Sequence, residues 1–170
     1  MASALVIDAQ VFIDNVGNDV CSPFFDKFGN LFLCLQNSAE VMSVDKSGEL
    51  NSIHCTNGQP SGAVFDETGT LYIADFAHTA ILAVQPDGQQ DLVVGVYEDK
   101  PLKGPNTIVS SSGSLFFTDS GPFGETGLHN PTGSVFCITN SPSGQILKPI
   151  SLGNLAYPSG VAVSAKGTFV

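Results

Sequence analysis

The sequence predicts an all-β fold, a β-propeller of four-stranded antiparallel blades. Three observations lead there. A pattern of apolar run, polar turn and glycine recurs four times along the 170 residues. The first three copies are each followed by a second pair of short runs around another turn. No apolar stripe at helical spacing runs for a useful length. A repeat of roughly 40–50 residues holding four short strands is the signature of a propeller blade. A sandwich also has regular short strands, but not the same sequence pattern four times over.

The elements follow in order. The first copy is Val20–Gly29 and then Asn30–Cys34; the second is Pro60–Gly69 and then Thr70–Asp75. The third, Pro105–Gly113 and then Ser114–Asp119, is one residue shorter in its turn; the fourth is Pro158–Gly167 and then Thr168–Val170. In each, an apolar run makes a strand and the glycine supplies the positive-φ position of a hairpin. A second strand then opens on a Leu-aromatic pair in the first three copies. The outer hairpins are Glu40–Gly48 with Glu49–Cys55, Ala80–Gly88 with Gln89–Gly95, and Gly133–Ile138 with Gln145–Ile150. The equivalent positions Cys21, Ser61, Asn106 and Ser159 lie 40, 45 and 53 residues apart.

The blades therefore divide as 19–58, 59–103 and 104–156, with 157–170 starting a fourth and 1–18 preceding the first. About three and a half blades do not close a ring, which takes four to eight. Val11–Val16 reads as an outermost strand with no blade of its own, the kind that completes the last blade of a closed ring. The expectation is the N-terminal part of a longer protein. A half-ring that self-associates is the alternative, because open blade edges invite pairing.

Composition excludes several function classes. Hydrophobic residues make up 42% and charged residues 13%, which is not the composition of a disordered chain. Six Lys, no Arg and sixteen acidic residues give a net charge of −10. Phosphate contacts depend on Lys and Arg, so neither nucleic acid nor an anionic membrane is an expected partner. No apolar run reaches 18 residues and the start lacks a basic leader, so a cytoplasmic location is expected. Cys21, Cys34, Cys55 and Cys137 form no CxxC pair, and free packed thiols are expected. No phosphate-binding glycine loop occurs.

The longest irregular stretch, Asp119–Gly133, is expected to rim the channel mouth and touch a small-molecule substrate. It carries Asp119, Glu125 and His129, with His129 a candidate base or ligand. Asp75 and Asp119 share one repeat position, which also suits a turn-capping role in each blade. His54 and His78 read as structural or surface residues.

Cys21–Asp26, Gly104–Asn106, Ser114–Asp119, Asn130–Gly133 and Tyr157–Val163 together resemble the senescence-marker-protein/gluconolactonase family of six-bladed propellers. Pro60–Asp75 also fits the looser NHL-repeat pattern. The resemblance implies about six blades and a lactonase-like hydrolase in which a divalent cation, Ca²⁺, assists attack of water on a small lactone or ester. In such a ring the starts of the innermost strands meet at one mouth. The metal positions implied are Cys21, Asn106 and Ser159, with Ser61 beside the substrate. The match is partial: Cys21 stands for the family's Glu, Thr107 for a frequent Asp and Ser159 for an Asn. Two other readings stay open, a non-catalytic NHL-type binding module and a family member without activity.

Overall fold

The computed structural model describes residues 8–17 and 19–164. All regular structure among them is β-strand. Three four-stranded antiparallel sheets follow one another in the chain, each with its strands in sequence order. The first is β1 (Val20–Phe25), β2 (Leu31–Leu35), β3 (Glu40–Val44) and β4 (Leu50–Cys55). The second is β5 (Pro60–Phe65), β6 (Leu71–Asp75), β7 (Ala80–Val84) and β8 (Gln90–Val94). A small hairpin of β9 (Val96–Tyr97) and β10 (Lys100–Pro101) precedes the third sheet. That sheet is β11 (Pro105–Ser111), β12 (Ser114–Asp119), β13 (Gly133–Ser141) and β14 (Gly144–Leu155). The first strand of the middle sheet, β5, touches both β1 and β11. The three sheets are thus blades set side by side with their first strands adjacent, a partial propeller.

The alternation of side chains along each strand explains the stacking. In β6, Leu71 and Ile73 pack toward blade 1, whereas Tyr72 and Ala74 pack toward blade 3. In β7, Ala80, Leu82 and Val84 join the first group and Ile81 the second. The middle blade is apolar on both faces, and every residue of β7 is buried. One core, between blades 1 and 2, includes Cys34, Val41 and the rings of Phe24, Phe32 and Phe65, whose centroids lie 5.0–5.8 Å apart. The other, between blades 2 and 3, is built on Phe117 and Phe136, stacked at 5.4 Å.

The hairpin turns repeat one chemical device. Asp26, Asp45 and Asp66 each open a turn that closes on a positive-φ glycine three residues later: Gly29, Gly48 and Gly69. In each, one carboxylate oxygen accepts the N–H groups two and four residues on, at 2.8–2.9 Å. The cap needs a carboxylate at the first position and a left-handed residue at the fourth. At Gly69 (φ +93°) nothing lies within 4 Å of where a Cβ would sit, so only backbone strain opposes a side chain. Gly69→Ala should cost about 1 kcal/mol in urea unfolding, and leave the slope of the transition unchanged. The shorter first turn of blade 3 uses Ser112 and Gly113, both at positive φ, as a two-residue hairpin turn.

Residues 11–16, expected as an outer strand, form none. They run alongside blade 1 instead, with Phe12 sharing a hollow with Phe25, Leu31 and Val44, and Ile13 beside Gly48. The edge it is expected to complete belongs to the last blade of a ring, which is not among the three blades described. The expected fourth-blade segment is described only as far as residue 164.

Candidate functional site

The starts of β1, β5 and β11 each depart from regular pairing at the same place. Register shifts occur between Cys21 and Phe24, between Pro60 and Gly62, and between Pro105 and Ile108. A bulge leaves its backbone groups unpaired and re-aims its side chains, and bulges concentrate near functional sites. The residues inside the three bulges are Ser22 and Pro23, Ser61, and Asn106 and Thr107.

These bulges are tied from blade to blade. The Cys21 thiol donates to the carbonyl of Pro60 at 3.5 Å, and the Ser22 hydroxyl donates to the carbonyl of Ser61. A Cβ placed on Gly62 would lie 2.5 Å from the carbonyl oxygen of Asn106. The Thr107 hydroxyl donates to the carbonyl of Ser159 at 2.7 Å. Positions 21, 61, 106 and 159 therefore follow one another along a single arc at one end of the blades. The side chains differ in what they do there. The Ser61 hydroxyl is buried, accepts from Gln36 Nε2 at 2.9 Å and donates to the carbonyl of Gln59 at 3.4 Å. Ser159 is exposed. Asn106 is half-buried; its Oδ1 lies 3.4 Å from the Thr107 hydroxyl, and its Nδ2 has no hydrogen-bond partner among the described residues.

Cys21 faces its neighbours rather than open space. It pairs across the ladder with Cys34 and donates to that residue's carbonyl at 3.6 Å, as well as to Pro60. Contact with the Cys34 thiol holds the Cys21 thiol below its ordinary range, and the same contact, with burial, pushes Cys34 up.

Asp119 ends β12, opposite Pro105 at the start of β11, so it lies at the same end as the arc. It is buried, and burial pushes its carboxyl above the usual carboxylate range against the opposing effect of two backbone donors. Those donors are the N–H groups of Lys103 (2.9 Å) and Gly104 (2.8 Å). Asp75 caps its own blade in the same way, accepting from Gln59 N at 3.0 Å and His78 N at 2.9 Å, and it sits 3.0 Å from His78 Nδ1. The capping role expected of both aspartates is what their hydrogen bonds perform. In blade 1 the cap comes from the opposite strand: Asp19 accepts from the N–H groups of Asn37 and Ser38. The loop after Asp119 returns to the arc, because the Ser120 hydroxyl donates to the carbonyl of Pro158 and Phe123 packs edge-on against Tyr157 at 5.3 Å. His129 and Glu125 stand exposed on that loop.

Sequence reasoning missed Ser22, Gln36 and Ser120, and it placed Thr107 only as a stand-in for an Asp. Each is a small or flexible polar residue whose role is a bond to the next blade. The signal available was position alone, directly beside a repeat-equivalent residue or just after the second strand.

The donors at the four arc positions are one thiol, two hydroxyls and one carboxamide. Calcium draws its affinity from charged oxygen ligands, and a thiol is soft. The sulfur is also committed to blade 2. No three His, Cys, Asp or Glu side chains among the described residues come together as a metal-binding group. These residues do not fit a hard divalent cation.

The chain superimposes on several solved structures. A gluconolactonase from Xanthomonas campestris matches at TM-score 0.72 and 24% identity, covering 87% of this chain and 51% of that one. The chain has the fold of part of a β-propeller. Virginiamycin B lyase from Staphylococcus aureus matches at TM-score 0.65 and 12% identity, over 94% of this chain and 50% of the lyase. A chain of the nidogen/laminin complex matches at 0.68 and 19%, over 86% and 53%. This chain spans about half the length of each of them. No family model and no curated protein matches the sequence. A gluconolactonase, a lyase and a member of a nidogen/laminin complex on one architecture mean that the fold by itself does not fix the chemistry. No helix of the described residues is long and apolar enough to cross a membrane.

Proposed function

We propose that the protein is a lactonase-like hydrolase acting on a small lactone or ester at the bulged end of the inner strands. Asn106 is the residue that carries this reading. It combines half-burial, a place inside a bulge and an amide nitrogen with no protein partner among the described residues. A half-buried amide left with a spare donor is suited to receive a carbonyl oxygen. Ser159, joined to the same bulge through Thr107, supplies an exposed hydroxyl beside it. The loop carrying Glu125 and His129 forms the adjoining rim, and its tie through Ser120 holds it near the arc. No step of this reading passes through calcium, since Cys21, Ser61, Asn106 and Ser159 bring no carboxylate of their own.

Hydrolysis of a small lactone, followed by acid release, tests it. Asn106→Ala should lower kcat/KM by about tenfold, the loss of one hydrogen bond worth about 1.4 kcal/mol in the transition state. Equal turnover in both proteins, with unchanged melting, rejects the role of Asn106. A second reading is a binding propeller without turnover, and the thiol at position 21 favours it. Saturable lactone binding with no acid release would establish that reading instead.

A further inference from the structure

We propose that Cys21 and Cys34 form a dithiol that closes to a cross-strand disulfide on reaction with a small-molecule disulfide. The inference does not depend on the lactonase reading. The two cysteines are register partners in the antiparallel β1–β2 ladder. Partners of this kind share one face of the sheet, with Cα atoms about 4.5–5.5 Å apart. That separation lies inside the span a disulfide bridges. The Cys21 sulfur already lies over its partner residue, 3.6 Å from the Cys34 carbonyl oxygen. Both side chains face the packing between blades 1 and 2, where Cys34 belongs to the core and Cys21 packs against it. The other two cysteines have no such opposite number: Cys55 faces Glu40, and Cys137 faces Phe116 and Lys148.

Burial sets the order of events. Cys34 is fully buried and Cys21 half-buried, so an incoming disulfide meets Cys21 first. The Cys21 sulfur, its proton given to solvent, attacks one sulfur of the small disulfide. The S–S bond breaks, one thiolate leaves and takes up a proton, and a mixed disulfide stands on Cys21. The Cys34 sulfur then loses its proton and attacks the Cys21 sulfur, expelling the second small thiol. Two protein thiols and one small disulfide become one protein disulfide and two small thiols; the protein pair loses two electrons and the small disulfide gains them. Closure removes the hydrogen that Cys21 donates to the Pro60 carbonyl, so the redox state of the pair changes a tie between blades 1 and 2.

The full chain, held folded in glutathione buffers from reducing to oxidising, is trapped by alkylation and mapped as peptides without reduction. The expected result is one cross-linked peptide pair joining Cys21 to Cys34, present in oxidising and absent in reducing buffer. The Cys55→Ser/Cys137→Ser double variant should keep it. Cys34→Ser should stop at glutathione on Cys21. Alkylation of both thiols in oxidising buffer overturns the proposal. So does a Cys21–Cys34 cross-link that appears only when the wild-type chain is unfolded in urea. The wild-type map decides the matter even where a variant folds poorly.

Discussion

Replacing Asp119 by alanine should destabilise the protein by about 2–4 kcal/mol, read from urea unfolding at neutral pH. The carboxylate satisfies the N–H groups of Lys103 and Gly104 at 2.9 and 2.8 Å, and the Gly104 bond is fully buried. Alanine leaves both donors without a partner. The pH dependence of this cost has a definite sign. Burial raises the folded-state pKa of Asp119 above its unfolded value. The folded state therefore holds the proton more tightly, and the stability this group contributes is fully present below an unfolded pKa of about 3.9. That contribution is lost as pH rises through the folded value. The gap between wild type and Asp119→Ala should accordingly narrow from acid toward neutral pH. A gap that widens over the same range would show that the carboxylate is better stabilised folded than unfolded.

The blades were legible because their signals are local. Alternating apolar residues on both faces of β6 and β7 say that a neighbour covers each side. The Asp-x-x-Gly turns state their own geometry, since the carboxylate cap and the left-handed glycine sit three residues apart in sequence. The aspartates at 75 and 119 revealed their capping role through repetition. Features that depend on register or on the next blade were not legible. The turn of the β9–β10 hairpin uses Glu98 and Asp99 at φ 48° and 61°, without a glycine to announce it. The cap in blade 1 comes from Asp19, before the first strand, so no repeat position marks it. The pairing of Cys21 with Cys34 follows from a two-stranded register that composition cannot give.

The candidate site was legible only in part, for the same reason. Cys21, Ser61, Asn106 and Ser159 were found as repeat equivalents, and the structure sets them along one arc. Their side chains do not share one environment. The Ser61 hydroxyl is consumed by Gln36 and Gln59, and the Cys21 thiol by Cys34 and Pro60. Repetition predicts where a backbone position lies. Whether its side chain is spare depends on partners contributed by other strands, and these are not repeated.

Gly62→Ala should act on the arc directly, and it separates crowding from backbone strain. Gly62 is not at positive φ, so alanine is acceptable to its own backbone. The obstacle is the neighbouring strand: an added Cβ would meet the Asn106 carbonyl oxygen at 2.5 Å and the Thr107 Cα at 3.1 Å. Both are backbone atoms, so β5 and β11 must move apart. Overpacking of this kind costs about 1–3 kcal/mol. The displaced strand is the one that positions Asn106, so lactone turnover should fall with stability, to the level of Asn106→Ala or below. Gly69→Ala is the matched control, because it adds the same methyl group into open space and loses about 1 kcal/mol without touching β11. A Gly62→Ala protein that melts and turns over like wild type would mean that the inner strands of blades 2 and 3 are not in contact, and the arc on which the proposed site stands would be gone.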